Sequence, residues 1–541
     1  MSDQPSSNRQ WVEQEFGGVS LGDKRRDARL LEAATAMADQ PTASNPQRFE
    51  LNELRCFYRM INGPRATLDI LQECHRERTR DRMNAVPNRV LVVHDTTELD
   101  FTDHPAVHSE LGPIGTGGGV GLLQHNSLAF DPEGKQLLGL IDQQLEKRQP
   151  KPKDETRGER ALRPNKESRL WLLGFRGVGR CPSGSQWIDV CDRGGDYFEG
   201  MWESRHLGHD FLIRVCHDRR VTMPETDEET GGTTAVDGTL RAAMMSVEPS
   251  ATKVVRVASR GGRPGREAVV RVGYRRVRLQ PPQPDGFRRG LMPMEVTLVR
   301  AWEDGATEAR AEAKAARERA TAARKALAEA ESEMAGIRGA KARKEAEAEL
   351  VRRRAARDET AAAAKAASGR AAELLDWWLG TSCRVGSAED ALRSVSDYEW
   401  RWPVAEEYHK VEKSGLRIEG QRFETAAGLT AALAVVAVVA VRLLQLRYAR
   451  DERPNAPAES AATPEEIEMV AKATKFAGSA MTVREFVDRV ARLGGFLGRK
   501  GDGPPGWMSL WRGYQRLTDL LLGQRLARAA PGPPPKDDDP D

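Results

Sequence analysis

The sequence predicts an α/β protein: a mixed-sheet core with all-helical regions at its two ends and a helical hairpin inserted into the core. Three observations carry this. β-type apolar runs fill the middle of the chain, starting at 89–94 (RVLVVH) and resuming at 374–379. Residues 11–83 and 467–526 instead carry helical patterns. Between the runs, residues 306–369 are almost wholly Ala, Glu, Lys and Arg, which are strong helix formers. At 541 residues the chain has room for several domains. The expected boundaries are a helical domain over 1–83, core over 84–303, insertion over 304–372, core again over 373–453, a second helical domain over 454–528 and a disordered tail over 529–541.

Composition narrows the function classes. The net charge of +3 excludes a global polycation and leaves local basic patches open. Six scattered cysteines without a CxxC pair argue against a disulfide framework or a zinc site and fit a reducing cytosol. The start, MSDQPSSNRQ, has no apolar signal-like stretch. Ala426–Val441 is apolar but shorter than the ~20 residues a bilayer needs, so a buried helix is expected and no membrane partner.

In the first helical region, LGDKRRDARLLEAATAMA sets a leucine/alanine face opposite Lys24, Arg25, Arg26 and Arg29. Candidate helices at 51–62 and 68–83 are also rich in arginine. Arginines along helices suit phosphate contacts, although bland basic helices are common. Strands follow at 89–94, 122–130 and 135–143, the last two joined by a DPEG hairpin signal. Gly115–Gly121 is glycine-rich but has neither a strand-GxGxxG-helix context nor a Walker lysine, so a nucleotide loop is rejected. A charged loop over 150–166, a helix over 168–175 and strands over 186–191 and 211–215 come next. Residues 251–300 alternate basic and apolar positions, as twisted antiparallel strands with a cationic face do. The 306–369 segment is interrupted at Gly336-Ile337-Arg338-Gly339. Two nearly equal halves folded back as an antiparallel coiled coil, on a mostly alanine seam, are expected between core strands 296–300 and 374–379. Residues 454–466 read as a Pro/Ala linker.

The chemistry gathers around 398–415, YEWRWPVAEEYHKVEKSG. Pro403 can open a helix there, and Glu406, Lys410 and Lys413 then fall on one face. A carboxylate beside two lysines suits a metal ion lying next to a phosphate chain, and also suits a merely solvated helix. Asp95 and Asp192 stand at expected strand ends. Three acidic ligands from separate elements can hold two Mg²⁺ ions ~4 Å apart for in-line phosphoryl transfer.

The blocks HDTTELDF (94–101), VCDRGGD (190–196) and Tyr398…Arg401…EEYHKxxKSG resemble the DDE transposases of the insertion-sequence-four family, to which the transposon-five transposase belongs. LGDKRRDARL near the start and ARLGGFLGRKGDGPPGWMSLWRGYQRL near the end extend the resemblance over nearly the whole chain except the Ala/Glu/Lys/Arg arm. The resemblance implies an RNase H-like core, with Asp95, Asp192 and Glu406 as catalytic metal ligands and Tyr398, Arg401, Glu406 and Lys413 matching the YREK signature. It further implies Arg193, Lys410, Trp377, Arg25, Arg26 and Arg29 as DNA contacts, with Trp377 receiving a flipped base and Trp378 as the alternative occupant. Two Mg²⁺ ions, replaceable by Mn²⁺, double-stranded transposon-end and target DNA, a homodimer on DNA and a bacterial cytoplasmic, nucleoid-associated location complete the implication. The implied reaction is strand nicking, hairpin formation and strand transfer. One departure stands out: Arg401 to Glu406 is one residue longer than the pattern, whose strict spacing falls on Ala405, with Glu407 as the other alternative. The rival readings are a catalytically inactive transposase-derived DNA-binding protein and a scaffold built on the arm.

Overall fold

Capping chemistry starts the first helices. Asp23 accepts from the Arg25 amide at 2.8 Å and opens α2 (Lys24–Asp39), which follows α1 (Asn8–Phe16). A Ser44 box opens the short α3 (Asn45–Arg48), a Glu50 box opens α4 (Leu51–Ile61), and Thr67 caps α5 (Leu68–Ala85). Leu30, Ala33, Ala34 and Met37 form the buried stripe of α2. The buried Glu15 carboxylate ties α1 to α5 through His75 at 2.6 Å and Arg82. The computed structural model describes residues 8–41, 43–149, 154, 167–226, 233–257, 265–282, 290–334, 337–478, 480–499 and 502–529. Most of the expected charged loop at 150–166, Gly336 of the expected turn and the expected tail beyond 529 lie outside these residues. The chain divides into two units, Met1–Phe211 with Asp397–Asp541, and Leu212–Ser396.

The sheet of the first unit is built from β1 (Arg89–Asp100), β2 (Gly112–Ile114), β3 (Gly119–Asp131) and β4 (Gln136–Glu146). After α6 (Ser168–Val178) come β5 (Gln186–Cys191) and α7 (Phe198–His206). β1 runs antiparallel to β3 and parallel to β5, so the sheet is mixed. One expectation is corrected here. The apolar run stops at His94 but the strand does not: Asp95 lies in the middle of β1, opposite Asn126. Its polar continuation stays in the ladder because β3 offers an equally polar stretch, Gln124–Ser127, buried against it.

β6 (Asp210–Arg214) leads into the second unit, with β7 (Arg220–Thr226), β8 (Thr233–Thr239), α8 (Leu240–Met245), β9 (Ala251–Val257), β10 (Arg266–Leu279) and β11 (Met294–Trp302). Two long helices follow, α9 (Ala306–Met334) and α10 (Ala340–Glu373), then β12 (Asp376–Thr381) and α11 (Ala388–Glu399). β11 and β12 pair antiparallel from Thr297↔Thr381 to Trp302↔Asp376, so the helical pair leaves and re-enters between adjacent strands. Its seam is Ala313 and Ala316 against Ala364 and Ala367, then Leu327 and Ala330 against Leu350. At ~1.5 Å per residue each helix is roughly 45 Å long. The root is locked by Asp376, whose buried carboxylate takes Arg300 Nε at 3.0 Å, Arg310 Nε at 3.0 Å and Trp378 Nε1 at 2.8 Å.

The first unit resumes with a π-turn (Trp402–Glu406), α12 (Glu407–Lys410) and a second π-turn (Val411–Gly415). Helices α13 (Ala426–Glu452), α14 (Pro464–Ala473), α15 (Val483–Leu493) and α16 (Trp507–Ala529) complete it. By length and composition alone α13 could cross a membrane, but 78% of its most apolar stretch is buried inside the fold. The expected 454–466 linker is also corrected. Ala458, Ala461 and Ala462 are buried with Val470, Val483 and Phe486, and the Ala458 amide donates to the Met481 carbonyl at 2.9 Å. Alanines that read as spacer are packing surface for α15.

Candidate active site

The parallel β1/β5 ladder ends at Val93↔Val190, and Asp95 and Asp192 each stand two residues further on, side by side. The ladder is pinned by a buried carboxylate, Asp189, which meets His94 Nε2 at 3.1 Å, His209 Nδ1 at 3.0 Å and the Ser204 hydroxyl at 2.6 Å. Burial alone would raise the Asp189 pKa, but the His209 and His94 imidazoles hold it well below the usual carboxylate range. Asp192 turns the chain by accepting the Gly194 amide at 2.6 Å. That turn needs glycine, because a Cβ at Gly194 would lie 2.7 Å from the Trp171 ring and one at Gly195 2.5 Å from Cys191 Cβ.

Arg401 joins the two aspartates. Its Nη2 lies 3.8 Å from Asp95 Oδ1 and 3.5 Å from Asp192 Oδ2. The residue is only 9% exposed, yet Nε and Nη1 find no hydrogen-bond partner among the described residues. Glu406 enters the same field from the π-turn. In a π-turn the repeat is i to i+5, so Arg401 and Glu406 stack one turn apart as an i, i+4 pair does in an α-helix. The extra residue between them is thereby taken up by the winding. Burial pushes the Asp95 carboxyl up to about 6; Arg401 pulls it down, and the charges of Asp192 and Glu406 push it further up.

The two alternatives to Glu406 point elsewhere. Ala405 is wholly buried, and Glu407 is ion-paired with Arg447 of α13. Helix α13 also braces the segment through Tyr448 Oη, which donates to the Pro403 carbonyl at 3.0 Å, and Tyr408 Oη, which donates to the Ala437 carbonyl at 2.9 Å. From below, Arg89 at the start of β1 grips Asp397 with two hydrogen bonds of 3.1 Å.

Each remaining candidate has its own setting. The Lys413 ammonium is engaged by the Glu98 carbonyl and, at 3.3 Å, by Glu419. Lys410 and Arg193 are exposed. Tyr398 is buried with its ring edge-on to Trp402. Trp377 and Trp378 are 6% and 8% exposed, and Trp378 is flanked by the guanidinium groups of Arg241 and Arg310. Neither indole offers an open face to a base in this conformation. Arg25 and Arg26 are exposed on α2, while Arg29 is ion-paired with Glu32 at 2.8 Å.

Sequence reasoning passed over the layer behind Asp95. Glu412, in the second π-turn, is buried and accepts from Gln124 Nε2 at 2.6 Å; burial pushes its carboxyl up to about 8. Gln124, Asn126 and Glu412 each keep a buried polar atom without a partner among the described residues. The signal was the polar QHNS in an otherwise apolar strand.

Paired acidic groups around a buried arginine are a donor set able to meet a cation and a polyanion, and two segments outside this site match known families. Residues 8–66 match the family described as Transposase DNA-binding. Residues 435–532 match the Transposase Tn5 dimerisation domain, and the two matches together support a Tn5-like transposase. They also support DNA binding and dimer formation.

Proposed function

We propose that this chain is a cut-and-paste DNA transposase whose RNase H-like core cleaves transposon ends, passes through a DNA hairpin and joins the freed 3′-OH to target DNA. The observation that carries the reading is three carboxylates from separate elements, Asp95, Asp192 and Glu406, around one incompletely partnered guanidinium, Arg401. The donor set fits divalent metal: all-oxygen, surplus in negative charge, and costly to keep ionised without a cation, as the raised Asp95 pKa reflects. Two bound Mg²⁺ ions, for which Mn²⁺ can substitute, would supply activation of the water or hydroxyl nucleophile and neutralise charge developing at phosphorus.

Asp95, Asp192 and Glu406 would hold those ions, and Asp95 must release its proton to do so. The free Nε and Nη1 edge of Arg401 is available to a non-bridging phosphate oxygen. The exposed Lys410, Arg25 and Arg26 would meet the DNA backbone, with Arg193 beside Asp192 as a further contact. A catalytically inactive DNA-binding role is motivated by the extra residue before Glu406, and the π-winding over Trp402–Glu406 supports the active reading against it.

A supercoiled plasmid carrying the DNA that flanks the gene tests the proposal. The wild-type chain should nick it only with Mg²⁺ or Mn²⁺, and Glu406→Ala should bind the same DNA without cutting. Mg²⁺ should also raise the Tm of the wild type and not that of Glu406→Ala. Equal nicking by both proteins would overturn the assignment.

A further inference from the structure

One rung of polar side chains crosses the sheet of the first unit. Gln143 of β4 pairs with Asn126 of β3, and Asn126 pairs with Asp95 of β1, so the three project from the same face. Gln124, opposite Thr97, shares that face because it precedes Asn126 by two residues. Away from Asp95 the rung continues as hydrogen bonds. Gln143 Nε2 donates to Asn126 Oδ1 at 2.9 Å, and Gln72 Nε2 of α5 donates to Gln143 Oε1 at 2.8 Å. Arg76 Nη2 donates in turn to Gln72 Oε1 at 3.1 Å. Gln72, Gln143 and Asn126 are buried, so the row is fixed rather than solvated.

Glu412 is where the segment carrying Glu406 meets this row. Its carboxylate accepts from Gln124 Nε2 at 2.6 Å. Burial raises its pKa, and Gln124, Tyr408, Lys413 and Asn126 pull the other way, which sets Asn126 beside the same carboxyl. The next residue, Lys413, is held by the Glu98 carbonyl of β1. From Trp402 to Gly415 the two π-turns and α12 wind without a break, so backbone alone links Glu412 to Glu406. Tyr408, Tyr448 and Arg447 tie this segment to α13, whereas Glu412 ties it to the strand beside Asp95.

We propose that Glu412 is a positioning residue: clamped to Gln124 and Asn126, it sets how the Glu406 carboxylate stands to Asp95, and thereby how tightly the two share a divalent ion. This rests on the metal-binding reading of Asp95, Asp192 and Glu406. Groups that orient a metal ligand from behind typically govern affinity by ~10–100-fold.

The test reads metal affinity without reading cleavage, through the Tm of the full chain titrated with Mg²⁺. Glu412→Leu keeps the bulk of the side chain and loses its hydrogen bond. It should need about tenfold more Mg²⁺ than the wild type for half of its Tm rise. Gln124→Leu removes the same contact from β3 and should give the same shift, which decides the matter even where Glu412→Leu does not fold. Glu412→Gln can accept from Gln124 Nε2 and donate to Gln124 Oε1, which has no partner among the described residues, so it should keep the wild-type requirement. Glu407→Ala, which releases Arg447 on α13 instead, should lower Tm and leave the Mg²⁺ requirement alone. An unchanged requirement in the leucine variants overturns the proposal. So does Glu412→Gln as impaired as Glu412→Leu, which would make Glu412 a ligand, or an equal shift in Glu407→Ala, which would make general loosening the cause. A wild type whose Tm ignores Mg²⁺ would overturn the metal reading itself and this inference with it; a responsive wild type matched by both leucine variants would overturn this inference alone.

Discussion

Two of the buried clusters of carboxylate and arginine are finished to different degrees. At the arm root one aspartate, Asp376, is met by Arg300, Arg310 and the Trp378 indole at 2.8–3.0 Å, so its charge is compensated and its oxygens are used. Around Arg401 one guanidinium faces Asp95 and Asp192, with the charge of Glu406 in the same field; its two ion pairs span 3.5 and 3.8 Å, and two of its nitrogens have no hydrogen bond among the described residues. A buried ion group is tolerated when its geometry is complete. The closed cluster therefore reads as architecture and the open one as a receptor for something charged. Arrangements short of partners are where function concentrates.

The contrast can be broken experimentally, beginning with the open cluster. Glu406→Ala should lower cleavage on the order of a thousandfold or more, as loss of several kcal/mol of metal-borne stabilisation requires, while a filter-binding assay shows DNA retained. Glu407→Ala should cut normally but unfold more easily, because it strands Arg447. In the closed cluster, Asp376→Ala should cost about 3–5 kcal/mol in urea unfolding, since two arginines and an indole N–H lose their shared buried carboxylate together. A pH series sharpens the middle ground. Glu412 has its pKa raised from 4.5 to about 8, so the unfolded chain loses this proton first and the fold weakens as pH rises through that window. Glu412→Gln should therefore gain on the wild type by at most about 1.4 kcal/mol per pH unit between those limits, and be level with it at lower pH. Smallest of all, Arg370→Ala on the exposed shaft of the helical arm should shift stability by no more than about 1 kcal/mol, less in high salt.

What the sequence disclosed tracks how local each signal is. The arm was legible because composition alone fixes two helices, and the strand pairing of Trp302 with Asp376 brings its ends together. Asp192 was legible as the residue after a short apolar strand with glycines behind it. Asp95 was singled out in the sequence, but its place inside a strand was not. A strand whose second half reads DTTELD resembles a loop until the matching polar layer of β3 is seen beside it. The same layer hid Glu412, since nothing in KVEKSG distinguishes a buried glutamate from a solvated one. Residues 454–466 failed for the opposite reason: proline and alanine suggest a spacer, and only the tertiary packing of Ala458, Ala461 and Ala462 shows otherwise. Tertiary partners, not local propensity, decided each of these.

The winding of Trp402–Glu406 bears on how such proteins are found. A one-residue insertion in an ordinary helix rotates everything beyond it by about 100° and would carry the acid off its partners. Here the insertion is absorbed within a single wide turn, braced by Tyr448 on the Pro403 carbonyl, and the downstream side chain keeps its bearing. A search pattern that fixes the count between the arginine and the glutamate would discard this chain, whereas one that follows angular position along the helix would keep it.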